Sequence, residues 1–361
     1  LSDEQRLLAD SAGKFFARLG GVKRARDLRG SDAGFDRKAL RATADNGWLG
    51  MLVAENCGGQ QLGPTELALV LEQAGRTLAP EPISQAMLAA LMISESGDAA
   101  VREQLLSSAI AGRSLIMPAL QEQSAGIDAA DTQTRLERAG SGWRLNGRKN
   151  FVLGAAACDG FLVSAQDSEG LAICHVPRAA PGLDINLAPT VDGRAYGALT
   201  LRNVVPTHIV ARANTAVAIL QRHHGLALVA ASAEMLGLME AISERTVDYM
   251  KTRKQFGRAI GSFQALQHRA VDNYVLIEST RSLLHQICAG GEPLATSMVS
   301  ALKAFASSAA LTVTKSAIQL HGAIGFTDEH DAGLYLKRAM WLSAHLGNAA
   351  FHQQRYAALS A

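Results

Sequence analysis

The strongest constraint on this chain is a change of hydrophobic period partway along it. Residues 1–115 carry apolar side chains at helical spacing, as in Leu7, Leu8, Phe15 and Leu19. Between Leu115 and Val210 this gives way to short apolar or alternating runs: Trp143-Arg-Leu-Asn, Phe161-Leu-Val-Ser, Leu171-Ala-Ile-Cys-His-Val and Ala198-Leu-Thr-Leu. Gly140, Gly147, Gly160, Gly170, Pro181 and Gly193 punctuate them, which predicts strands in a small antiparallel barrel or sandwich. From Asn214 helical periodicity returns over 214–252, 263–289, 294–320 and 329–359, and long helices joined by short loops predict an antiparallel bundle. The expected order is a helical domain over 1–115, a β domain over 116–210 and a helical bundle over 211–361.

Local signals sharpen the amino-terminal part. Ser2 with Gln5 makes a capping-box pattern, which reads as a helix start and not as a signal peptide. A short helix is predicted from Asp36 to Asn46, ending near Gly47, and Thr65 is placed to cap a helix over Glu66–Arg76. Two more helices are predicted over Ser84–Ser96 and Ala99–Ile110.

Composition excludes several function classes. Hydrophobic residues make up 48% of the chain but aromatics only 5%, favouring Ala- and Leu-rich helices in close contact. A formal charge of +2 without a basic block gives no support to a nucleic-acid or membrane-surface role. The apolar stretch Gly225–Met239 is interrupted by Glu234 and is too short to span a bilayer. The four cysteines, Cys57, Cys158, Cys174 and Cys288, form no CxxC pair and read as reduced packing residues of a cytoplasmic protein.

Chemistry concentrates in two segments. Arg253-Lys-Gln-Phe-Gly-Arg-Ala-Ile-Gly-Ser-Phe-Gln264 is followed about 55 residues later by Gln319-Leu-His-Gly-Ala-Ile-Gly-Phe326. Arg253 offers a planar charged fork suited to a pyrophosphate. Gln255, Gln264 and Gln319 can both give and accept hydrogen bonds, Phe256 can cover a ring face, and Gly257, Gly322 and Gly325 allow close backbone approach. This equipment suits a dinucleotide held outside a Rossmann sheet; no Walker A, GxSxG, HExxH or GxGxxG motif occurs. Asp328, Glu329, His330 and Asp331 lack the helical spacing of a metal site and read as capping and surface charge, so no metal is expected. His223 reads as packing or capping, with a base role as the alternative.

The paired segments resemble the carboxy-terminal signatures of the acyl-CoA dehydrogenase flavoproteins, and the resemblance extends over essentially the whole chain, including Glu55-Asn-Cys-Gly-Gly and Leu71-Glu-Gln-Ala-Gly-Arg. It implies a mainly α fold with a central β domain: an N-terminal helical domain, a β-barrel or sandwich in the middle and a C-terminal four-helix bundle. It implies FAD as cofactor, an acyl-CoA substrate, an electron-transfer flavoprotein as acceptor, and an oligomer in which Arg253, Gln255, Phe256 and Gln319 serve a neighbouring chain's flavin.

The chain also departs from the family pattern. The family's Thr-Glu-Pro-x-x-Gly-Ser-Asp segment corresponds to Gln121-Glu-Gln-Ser-Ala-Gly-Ile-Asp128, and its Trp-Ile-Thr to Phe151-Val-Leu153. Gln121 and Phe151 remain candidates for the flavin ring, whereas Ile127 and Leu153 bring no hydroxyl. Ala323 replaces one glycine of the second signature. The family's base positions fall on Leu346 and Ala227, neither of them an acid, and Leu228 stands where many members place a substrate-contacting Arg. Three functions follow: a base-lacking subunit working beside a paralogous chain, a self-sufficient homo-oligomeric flavoenzyme with an unusual base or with oxidase or monooxygenase chemistry, or a catalytically silent scaffold.

Overall fold

A computed structural model describes residues 1–31, 33–122, 131–140 and 142–360. Helices α1 (Asp3–Arg18), α2 (Gly21–Leu28), α3 (Arg37–Asp45), α4 (Pro64–Arg76), α5 (Ile83–Ser94) and α6 (Ala99–Ile110) come first. Strands β1 (Ile116–Ala119), β2 (Arg135–Ala139), β3 (Gly142–Leu153), β4 (Gly160–Asp167), β5 (Gly170–Pro177), β6 (Leu183–Pro189), β7 (Ala195–Val204) and β8 (His208–Arg212) follow. The remainder comprises α7 (Ala213–Thr252), β9 (Lys254–Gln255), β10 (Arg258–Ala259), α8 (Gln264–Ala289), α9 (Thr296–His321), α10 (Ala332–Ala344) and α11 (Ala349–Ser360).

These elements form two compact units. One gathers Leu1–Asp27, Pro64–Ala79 and Leu228–Ala361; the other gathers Leu28–Gly63 and Pro80–Ala227. In the first, α9 carries Val299, Leu302, Ala306, Ala310, Val313, Ala317 and Leu320 inward at helical spacing. Close approach of α4 and α7 depends on two glycines. A Cβ on Gly237 would overlap the Glu72 carbonyl, and one on Gly75 would overlap the Glu234 carbonyl. In the second unit, Met92, Ile93 and Val101 from the helices meet Leu162, Ile173 and Val210 from the sheet and Ile219 and Leu220 from the start of α7.

The sheet runs β6-β7-β3-β2-β4-β5-β8, with β1 paired to β4 off this path. Most pairs are antiparallel as expected, but β1 and β2 both pair parallel to β4, a departure from a purely antiparallel domain. The Ser2–Gln5 capping box forms, and Asp36 caps α3. Thr65 does not act as a cap: α4 begins at Pro64, whose fixed φ and missing N–H suit a first helical position. The fourth predicted bundle segment is two helices, because the chain breaks at Leu346 (φ 59) and Gly347 (φ 105). By length and composition α7 would pass for a membrane span, but 89% of its most apolar window is buried inside the fold.

Candidate functional site

The two motif segments meet at one end of the bundle unit. Beyond α7 the chain folds back at once, β9 and β10 pairing Gln255 with Arg258 and Lys254 with Ala259. Phe256 (φ 52) and Gly257 (φ 76) form the two-residue tip, both left-handed as a type I′ hairpin requires. Glycine suits that geometry, but phenylalanine there costs about 1–2 kcal/mol, so the turn itself does not select Phe256. Its ring is 90% exposed and lies edge-on to Phe263, over which Arg258 also stacks.

Below the tip, Met250, Ile260 and Leu320 form a small buried cluster with Tyr249, Phe263, Leu266 and Ala270 at its edge. Leu320 belongs to the last turn of α9, so the cluster joins the hairpin to the Gln319–Phe326 segment. Arg253, Gln255, Gln264 and Gln319 are all exposed. Among the described residues their side chains have no partner in their own chain. Gly257 and Gly322 (φ 68) have open space where a Cβ would stand, whereas Gly325 is buried against Ile318 and His321. An exposed guanidinium, three exposed amides and two open glycine turns fit the anionic half of a dinucleotide approaching from outside the chain.

One feature of this end escaped the sequence reading. Tyr249, His321 and His330 form a column of rings, with centroids 4.6 Å and 4.4 Å apart. His321 Nδ1 lies 2.8 Å from the Ala317 carbonyl, while His330 Nδ1 accepts from the Ala332 amide. Asp331 takes guanidinium contacts from Arg26 and Arg245, consistent with the charge role expected of that segment.

In the sheet unit, Gln121 and Phe151 come together through the Asn150 amide, which donates to the Gln121 carbonyl at 2.8 Å. The β3–β7 register shifts between Lys149 and Val152, and this bulge turns Phe151 (φ 59) outward, edge-on to Tyr196. Val152 and Leu153 are buried. Gly126, Ile127 and Asp128 lie outside the described residues. Behind Gln121 is a network that sequence reasoning did not anticipate. Fully buried Lys149 donates to Glu122 (2.6 Å), Thr132 (2.6 Å) and Ser164 (2.9 Å), and Glu122 also accepts from both Thr134 groups and the Gln133 amide. Burial pushes the Glu122 carboxyl up, but bonds from Lys149 and Thr132 outweigh it and hold the group at about 2. Burial brings Lys149 down to about 8 against the opposing pull of Glu122.

Leu346 is half-buried in the α10–α11 turn, and Ala227 is buried on α7. His223 is buried, and desolvation lowers it to about 4. Burial also raises the thiols of Cys158, Cys174 and Cys288, as packing residues require.

Family models divide the chain in the same sequence of parts. The acyl-CoA dehydrogenase N-terminal domain matches residues 2–113, the middle domain 118–204 and the C-terminal domain 224–358. The chain belongs to the acyl-CoA dehydrogenase family. It is an oxidoreductase of that family, acting on acyl-CoA, with FAD as cofactor. It is 30% identical over 351 residues to acyl-CoA dehydrogenase IpdE2 of Mycolicibacterium smegmatis, covering 96% of each chain. Among solved structures, a variant of the Tcur3481-Tcur3483 steroid ACAD is 31% identical, with a TM-score of 0.89 over 99% of this chain and 98% of that one. The ChsE4-ChsE5 complex from Mycobacterium tuberculosis is 26% identical, with a TM-score of 0.89 over 99% and 97%.

Proposed function

We propose that this chain is the base-lacking subunit of a heteromeric acyl-CoA dehydrogenase, completing the FAD nucleotide site of a paralogous partner. The observation that carries this reading is Leu346. It holds the position of the family's catalytic carboxylate, in a turn whose neighbours His345, Gly347 and Asn348 are not acids. The second base position is Ala227, also apolar. A positioned general base is worth about 10²–10⁴-fold, so a chain without one is a poor dehydrogenase alone. Two similar structures bear two-component names, which supports a paralogous partner.

Within such a complex, Arg253 and Gln255 would hold phosphate and ribose oxygens, Phe256 would cover an apolar face of the nucleotide, and Gln319 would close the site from α9. Gln121 and Phe151 are the candidates for this chain's own flavin-ring contacts. Bound FAD supplies the hydride acceptor for α,β-dehydrogenation, and an electron-transfer flavoprotein is the proposed electron sink. The steroid ACAD among the similar structures supports a bulky acyl-CoA as the substrate class.

The test is to purify the chain alone and with its paralogue, and to record flavin per protein and acyl-CoA oxidation. Alone it is expected to hold little flavin and to turn over negligibly; together both appear. Full activity of the isolated chain would refute the proposal. Arg253→Ala should weaken FAD retention by about 10–100-fold, the worth of a charge-assisted contact, with no change in melting temperature.

A further inference from the structure

The most unusual buried group outside the nucleotide arm is Lys303. Its side chain is 0% exposed, yet among the described residues no carboxylate lies within ion-pair reach. Its ammonium donates instead to Ser307 Oγ (3.0 Å), the Ser343 carbonyl (3.3 Å) and the Gly347 carbonyl (2.9 Å). Fully buried His352 reaches the preceding carbonyl, that of Leu346, through Nε2 at 2.8 Å. Its Nδ1 is buried with no partner, so the ring is committed to that single bond. Two titratable side chains, one from α9 and one from α11, thus hold successive carbonyls of a turn whose residues both have positive φ. Packing alone would be served by a leucine at either position. A buried ammonium is costly and is retained where its hydrogen bonds fix something.

We propose that Lys303 and His352 are positioning residues that clamp the Leu346–Gly347 turn from behind and so set the wall this turn presents to the acyl thioester. The placement of that wall rests on reading Leu346 as the family's base position; the clamp does not. Left-handed backbone at a leucine persists only when its surroundings over-determine it, and two donors on adjacent carbonyls do that. The same clamp would aim a carboxylate in a chain that has one. In this chain it keeps an apolar side chain in a fixed place, making the turn a determinant of acyl-group shape.

The test uses the full chain, with its paralogue where that is needed for activity. In Lys303→Met, hydrogen exchange of the Gly347 amide, now bonded to the Ala344 carbonyl at 3.2 Å, should accelerate about tenfold or more, while amides in the middle of α9 keep their protection. His352→Phe should act likewise, and Lys303→Gln, which keeps an N–H donor, should recover part of the protection. In the active complex Lys303→Met should raise KM for acyl-CoA about fivefold with kcat within about twofold. Unchanged exchange at Gly347 would overturn the clamp, whatever the catalysis. Faster exchange with KM unmoved would overturn its role at the acyl site. Turnover by the isolated chain bears on the subunit reading alone and leaves the exchange result standing.

Discussion

Phe151, Phe256 and Leu346 share a property that composition does not reveal: each has positive φ, among only seven such non-glycine residues described. Strain of this kind collects at functional positions; Phe256 had been singled out for its ring and its motif, Phe151 and Leu346 through the family resemblance. The buried Glu122–Lys149 pair shows what holds such positions. Lys149→Met should destabilise the chain by about 3–5 kcal/mol in chemical denaturation, because it strands a buried carboxylate. Glu122 sits far below its ordinary value, so its stabilising contribution is complete above pH ~4.5 and disappears as pH falls toward 2; an acid denaturation series should show this, and Glu122→Gln should flatten it. Lys303 works in the opposite sense. Burial lowers it to about 7, so the unfolded chain binds more protons between pH ~7 and ~10.5, and stability rises with pH across that window. Lys303→Met should therefore gain most over the parent below pH 7, with the gap closing as pH rises, measured by denaturant midpoints.

At the scale of elements, the glycines at the α4–α7 crossing decide how near two helices come. Gly237→Ala should lower stability by about 1–3 kcal/mol, since overlap with the Glu72 carbonyl exceeds the ~1 kcal/mol gain in helix propensity. The alternation of helix, sheet and helix was legible because period and punctuation are local signals, and the capping box at Ser2 declared itself for the same reason. What was not legible depends on partners distant in sequence. The break at Leu346–Gly347 rests on donors from α9 and α11, and a helical pattern ran straight through it. The parallel pairing of β1 with β4 is likewise a long-range choice. Thr65 misled because Pro64 has a stronger claim on the first helical position.

For the whole molecule, the residues proposed to grip the nucleotide come from two motifs, since residue types there suit that ligand. Its assembly by Met250, Ile260 and Leu320 was not, because three scattered apolar residues carry no signature. Leu320→Ala should loosen the hairpin from the end of α9; the expected outcome is weaker FAD retention alongside a loss of about 2–5 kcal/mol, read by flavin titration and unfolding. The three hydroxyl positions of the family's ring site are only partly visible, with Gln121 and Leu153 described and Ile127 not.

The turn at Leu346 has a bearing on how such a chain arises. In the clamp proposed above its shape is set by side chains lying elsewhere, Lys303 on α9 and His352 on α11. On that proposal, replacing an acid by a hydrocarbon at this position would leave the fold intact, and a duplicated chain would be free to specialise as a companion.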